Sequence, residues 1–404
     1  MNTPRRRTPA VRRKAALCLA LLWLAIPAAA QFSEPAALAA WSAMPASLLP
    51  MRLPVADAPR WTVHGEAANF EAVDATPVRE FSEDWRRYAP RAGTNVALQS
   101  ARIELGASRQ RWELAASARA DIMIGAPRST WDAVHLYKQR QTPTDGSAYT
   151  LDAHATGVIW AGVRGAHTWV LRPGADHGLQ LTAALTLLSA RRVQQIDATG
   201  RVRFDAVDGY GFDVQAQRQD SYKQFGGYGS KEASGSGYTV DLGLLWQPTP
   251  SSFVNLSAVD LVSRVRVHGV SMQQATVSSS TGSVDADGYL NYRPLVSGRY
   301  AAVDVNTTLK RKWSASAGTR VDAFGVQVLA GARWERVGGL DLPAVWAALP
   351  VAPGLLLQVD AELRFRSIGV GLVSRHGSLM LRSRSIKVAA SEVLGWQASF
   401  NLPL

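Results

Sequence analysis

The sequence predicts an all-β fold, a transmembrane antiparallel up-and-down β-barrel of about 12–16 strands with a short irregular N-terminal segment. Three observations predict it. First, Arg111–Ile124 is two-faced: Arg111, Glu113, Ser117, Arg119 and Asp121 alternate with Trp112, Leu114, Ala116, Ala118, Ile122 and Ile124. Alternate side chains of a strand point to opposite faces, and this stretch is long enough to cross a bilayer at a tilt, which takes about 9–11 residues. Second, Leu355–Ser367 repeats the pattern: Leu357, Val359, Ala361, Leu363 and Phe365 against Gln358, Asp360, Glu362, Arg364 and Arg366. Third, an export leader precedes a chain that has no other cysteine than Cys18 and no unbroken apolar run long enough for a membrane helix.

The leader is residues 1–30. A basic start (Arg5, Arg6, Arg7, Arg12, Arg13, Lys14) precedes the apolar run Ala15–Pro27 and then Ala28-Ala-Ala-Gln31. That order marks a secretory signal peptide. The leader carries six basic residues and no acid, so its removal lowers the net charge from +12 to +6. Much of the basicity thus belongs to export, and no nucleic-acid partner is expected.

Residues 31–92 form the expected irregular segment or plug, rich in Ala and Pro. Trp61–Phe70 could make one strand and Glu80–Tyr88 a short amphipathic helix. The barrel is expected over 93–404.

Val96–Ser108 and Gln110–Gly125 read as a first hairpin, and Ser129–Ser147 as a polar loop. Tyr149–Val158, Ile159–Leu171 and Gly178–Arg191 read as strands. Arg201–Val207 and Phe212–Arg218 flank Asp208-Gly209, a hairpin turn signal because both residues tolerate positive φ. Asp220–Gly237 reads as a loop, followed by the strands Tyr238–Pro248 and Phe253–Val270. Met272–Gly288 reads as another loop. Arg299–Trp313, Val326–Glu335, Ile368–Val373, Ser378–Val388 and Val393–Leu402 complete the pattern. The end of the chain, with Gly395, Trp396, Ala398 and Phe400, is similar to the terminal strand of outer-membrane barrels. It departs from that signal at Val393 and in the Asn401–Leu404 tail.

One parity places Trp112, Leu114, Ile122, Leu357, Val359 and Phe365 against lipid. The same parity turns Arg111, Arg119, Arg201, Arg203, Lys310, Arg333, Arg364 and Arg366 to the lumen, with Arg382 and Arg384 following. Glu104, Glu113, Asp121, Asp205, Asp304, Glu335, Asp360 and Glu362 turn inward too. Two readings follow: a ladder of cross-strand ion pairs that fills the barrel, or a passage with a basic bias that favours anions. The last third, with Arg364, Arg366, Arg375, Arg382, Arg384 and Lys387, is where a constriction is expected.

Enzyme signatures are poor. The seven histidines (64, 135, 154, 167, 177, 268, 376) make no H-E-x-x-H pair, and no G-x-S-x-G elbow occurs. His376 and Ser378 share a face but stand alone. No catalytic residue, metal or cofactor is expected.

Val240-Asp-Leu-Gly-Leu-Leu-Trp-Gln-Pro248, Asn255-Leu-Ser-Ala-Val-Asp-Leu261 and Tyr292-Arg-Pro-Leu-Val-Ser-Gly298 resemble segments of the FadL-like barrels, a group that includes fatty-acid transporters and barrel-type TraF proteins. The resemblance covers roughly 238–310 and implies a Gram-negative outer-membrane barrel. No Asn-Pro-Ala-type hatch motif is present, and no binding residue carries over. The expected role is passage of a small or extended solute, hydrophobic or anionic, through a monomer in the outer membrane. Expected partners are outer-membrane lipid and the barrel-assembly machinery. An export port for an anionic exopolysaccharide and a structural or assembly barrel without transport are the alternatives.

Overall fold

The computed structural model describes residues 61–173, 178–222, 233–280, 282–284, 290–292, 295–323 and 326–404. The expected signal peptide and the stretch from 31 to 60 lie outside the described residues.

The strands are β1 (Thr62–Val73), β2 (Thr94–Arg109), β3 (Trp112–Pro127), β4 (Ala148–Arg172), β5 (Gly178–Asp205), β6 (Gly209–Asp220), β7 (Ser234–Thr249), β8 (Ser252–Ser278), β9 (Gly282–Val284), β10 (Leu290–Tyr292), β11 (Val296–Thr307), β12 (Lys312–Ala323), β13 (Val326–Val337), β14 (Leu340–Ala352), β15 (Leu355–Glu362), β16 (Ser367–Ser374), β17 (Gly377–Ser383) and β18 (Val393–Pro403). One helix, α1 (Arg128–Gln139), joins β3 to β4.

Every pairing is antiparallel, and β18 pairs with β1, which closes the sheet. β6 and β7 occupy successive parts of one wall position between β5 and β8; β11 and β12 do the same beside β8. The ring therefore has fourteen positions. The β18–β1 pairing closes the ring, as a bilayer demands, while among the described residues β11, in the tall wall, pairs with β8 alone.

The rim is uneven. β4, β5 and β8 run for 25, 28 and 27 residues. With β6 and β11 they form a tall wall, opposite the eight-residue strands β15 and β16. One end carries Trp61, where the described residues begin, the C-terminal Leu404 and tight turns at Gln110-Arg111, Pro250-Ser251 and Arg375-His376, among others. The other end carries the long connections 74–93, 128–147 and 384–392.

The outer face is apolar. Leu105, Leu114, Val163, Leu187, Val345, Val370 and Leu381 are exposed there. Trp112, Trp169 and Trp246 stand on this face near the turn end, and Tyr238, Trp313 and Trp334 nearer the loop end. Aromatic girdles flanking an apolar band are what an interface on each side of a membrane selects.

Several elements differ from the sequence reading. The barrel begins at Thr62, inside the segment expected to be irregular, and not at 93. The alternation of β1 is faint because its outward positions include Gly65 and Ala67. Glu80–Tyr88 is not helical; a short 3₁₀ turn at Val78–Glu80 and further turns lead to Trp85, which is buried. The Ser129–Ser147 loop contains α1, which begins after Pro127 and ends where Arg140 turns left-handed at φ 53. Tyr149–Leu171 is one strand. Phe365 leaves the lipid parity: the strand stops at Glu362, and the turn carries Phe365 into the interior, where it is 1% exposed.

Candidate functional site: a bridged lumen

Two charge networks occupy the lumen: one crosses it and the other runs along the wall from β13 to β17. In the first, Lys312 of β12 reaches Asp121 of β3, strands on different sides of the ring. Its Nζ also lies 3.6 Å from Asp260, as does Nη1 of Arg119. Asp260 sits in a bulge of β8 with φ 56, which turns its carboxylate inward. There it accepts from Thr239 Oγ1 at 2.9 Å, and its own N–H donates to Asp241 at 2.8 Å. Arg164 pairs with Glu113 and lies 3.9 Å from Asp241. In the second network Arg382 meets Asp360 at 2.6 Å, and Arg333 lies 3.9 Å from Asp360 and 3.7 Å from Glu335. Apart from Arg119 and Asp121, which are part-buried, these side chains are almost fully buried. A buried pair is costly to form, but removing one partner strands the other, at about 3–5 kcal/mol.

An apolar seal lies toward the loop end. Val337, Leu340 and Leu342 of the β13–β14 hairpin pack with Phe70, Leu98 and Met123 of β1, β2 and β3, and with Phe365 and Val393. β1 and β13 lie far apart around the ring, so this contact spans the lumen. The hairpin turns on Gly338 and Gly339, at φ +56 and +89. Two consecutive positive φ values are what a tight two-residue hairpin needs. A Cβ on Gly338 would lie 2.6 Å from the sulfur of Met123, so glycine also permits the close approach. Beside the seal is a cavity of about 30 Å³ lined by Phe70, Ser100, Arg102, Met380, Arg382 and Gln397, with room for a water or two.

A cap covers this end. Trp85 stacks on Phe81 and Tyr88 and meets Trp131 of α1, with ring centres 6.0, 5.9 and 5.2 Å apart. Lys138 donates to the carbonyls of Phe81 and Glu83 at 3.0 and 2.9 Å. Burial raises the Glu80 carboxyl, but the N–H and guanidinium of Arg87 outweigh it and hold the group below its ordinary value. Burial, with the bond to Asp132, pushes the Tyr88 phenol up. Burial against Tyr88 lowers His135.

The basic residues expected to line the lumen scatter. Arg111 is exposed in the β2–β3 turn. Arg119 joins the first network and stacks on Trp160 at 5.2 Å. Arg201 and Arg203 stand exposed high on the tall wall, level with Thr150 and Ala148. Lys310 lies exposed beside the Gly338 turn. Arg333 and Arg382 converge on Asp360. Arg364 pairs with Asp74 beneath the cap, Arg366 is exposed in the β15–β16 turn at φ 57, and Arg384 pairs with Glu392. His376 and Ser378 engage Arg375 and Ser399 respectively, not one another. Asp74, Asp260, Lys312 and the Gly338-Gly339 hairpin were not singled out from sequence; the glycine pair was the only visible signal among them.

A ring closed on itself, apolar outside, polar within and even in strand number is the architecture that crosses an outer membrane. The chain is an outer-membrane-type β-barrel. In such barrels short turns face the periplasm and long loops face outward, which puts the cap on the extracellular side. The sequence matches no protein-family model and no curated protein. Among solved structures, a TodX monoaromatic hydrocarbon channel lacking S2 and S3 aligns over 85% of this chain and 90% of its own, at 9% identity and TM-score 0.42. The toluene transporter TodX of P. putida aligns over 92% and 91%, at 9% identity and TM-score 0.37. A FadL homologue of Pseudomonas aeruginosa aligns over 85% and 88%, at 10% identity and TM-score 0.27. No residue role is taken from them.

Proposed function

We propose that this barrel is a gate for small apolar solutes, closed at rest by its β13–β14 hairpin. The observation that carries the reading is the contact of Leu340 and its neighbours with Phe70 and Leu98 across the lumen. A polar solute would have to strip its hydration to pass these side chains, at a cost of several kcal/mol for an unpaired polar group. An apolar solute would exchange one apolar contact for another. The two glycines form the tip of the hairpin, which is paired to β12 as far as Val337, so opening needs the side chains of the seal to part. Passage of an anionic polymer has less support, because Arg119, Arg333, Arg364 and Arg382 each face a carboxylate. The cross-lumen ion pairs favour a second reading, a filled structural barrel that transports nothing.

Uptake of N-phenylnaphthylamine, an apolar fluorophore that an intact outer membrane excludes, separates the two. Cells carrying the barrel should take it up faster than vector controls, and a Phe70→Ala/Leu340→Ala variant faster still. Uptake equal to the control for both, with both folded in the membrane, would favour the structural barrel.

A further inference from the structure

We propose that the lumen holds a divalent metal site near the periplasmic end, formed by His64, Glu104 and Glu113, with zinc as the ion that suits it. The inference stands apart from the gating reading. Three neighbouring strands supply one residue each: His64 from β1, Glu104 from β2, Glu113 from β3. One ligand atom of each lies within 4.8 Å of the others.

His64 points to a ligand independently. It is 2% exposed, and neither ring nitrogen has a hydrogen-bond partner among the described residues. An imidazole buried without a partner is costly, and a metal bond would remove that cost. Its Nε2 is 3.9 Å from Glu113 Oε2, too far for a hydrogen bond. Two donors each about 2.0–2.2 Å from one zinc ion stand roughly that far apart once the angle opens past tetrahedral. The strand is also shaped for the ring. Gly106 lies opposite His64, and a Cβ there would come 2.7 Å from Nε2, so only glycine admits the imidazole in this place.

Two carboxylates face the place of the ion, and Arg164 offsets part of their charge. Glu113 Oε1 is taken by Arg164, which orients the carboxylate and leaves Oε2 turned toward His64. A hydrogen-bonded ligand carboxylate is the usual outer-shell support of a metal. Glu104 supplies the second negative charge. Imidazole nitrogen and carboxylate oxygen are both donors that zinc accepts, and the fourth position would stay open. The ion would tie together the first three strands beside the β1–β18 seam.

The test is zinc titration of the folded, chelator-stripped barrel in detergent, against a chromophoric competitor. The wild type should take up one equivalent. His64→Gln, which keeps the ring's volume in part, should weaken binding by more than the roughly 10–100-fold that loss of an outer-shell partner costs. Glu104→Gln should weaken it as well, and His167→Ala, on the outer face, should not. Cobalt in place of zinc should give a visible d–d band that His64→Gln abolishes. Each variant is first shown to be folded by its heat-modifiable mobility. No stoichiometric uptake by the wild type, or equal affinity in His64→Gln, would overturn the proposal.

Discussion

Arg364, in the β15–β16 turn, donates from both Nη atoms to the carboxylate of Asp74, at 3.0 and 2.8 Å, past the ends of β17 and β18. Arg91 approaches the same carboxylate at 3.1 Å and donates to the carbonyl of Arg364 at 2.9 Å. Both guanidinium groups lie over the ring of Phe365, which meets Phe70 edge-on at 6.5 Å. The extracellular cap is thereby fastened to the seal beneath it. Asp74→Ala strands two guanidinium groups and should destabilise the barrel, by less than the roughly 3–5 kcal/mol of a fully buried pair because Arg91 and Arg364 are part-exposed. Arg364→Ala should cost less, because Arg91 still faces the buried carboxylate. A double-mutant cycle on urea unfolding midpoints measures the coupling; additive effects would deny it.

The cap should loosen in acid. The Glu80 carboxyl lies below its ordinary value of 4.5 and His135 below 6.5. A group whose folded pKa is lowered contributes stability in full above its ordinary value and loses it as pH falls through the folded value. His135 therefore weakens the cap first, as pH drops below 6.5, and Glu80 adds to this below 4.5. Protection factors of the amides between Glu80 and Tyr88, taken by hydrogen exchange at each pH, report the opening. Protection that falls with alkali and not with acid would go against it.

The first charge network rests on Asp260. Asp260→Asn should keep the bulge, since asparagine tolerates positive φ, yet remove the charge that faces Arg119 and Lys312. A loss of about 3–5 kcal/mol is expected for Asp260→Ala and a smaller one for Asp260→Asn. Equal and negligible losses would mean the network is solvated.

Leu340→Ala should cost about 2–5 kcal/mol, because a fully packed site leaves a cavity. Gly338→Ala should also destabilise, since it places a Cβ at positive φ against Met123. Met123→Ala should restore part of that loss if the clash is its cause. Unfolding midpoints of the three variants decide it.

Much of the barrel was legible because its signal is local. Trp112 and Leu114 face outward and Glu113 and Arg119 inward, as the alternation of β3 requires. The strand β1 was legible over Trp61–Phe70, but its place in the barrel wall was not, because small residues such as Gly65 and Ala67 mark no face. The helix α1 was obscured because a short helix among polar residues has little periodicity. The contents of the lumen were not legible. Alternation says that Asp121 and Lys312 point inward, but not that strands so far apart in sequence bring them together. Nor does it reveal that a turn drives Phe365 into the interior, since parity ends where the strand ends.

The claim that the lumen is sealed by the β13–β14 hairpin is tested most directly by single-channel recording of the purified protein in a planar bilayer. A sealed lumen gives no stepwise conductance from the wild type and clear steps from Phe70→Ala/Leu340→Ala. Steady stepwise conductance from the wild type would contradict it.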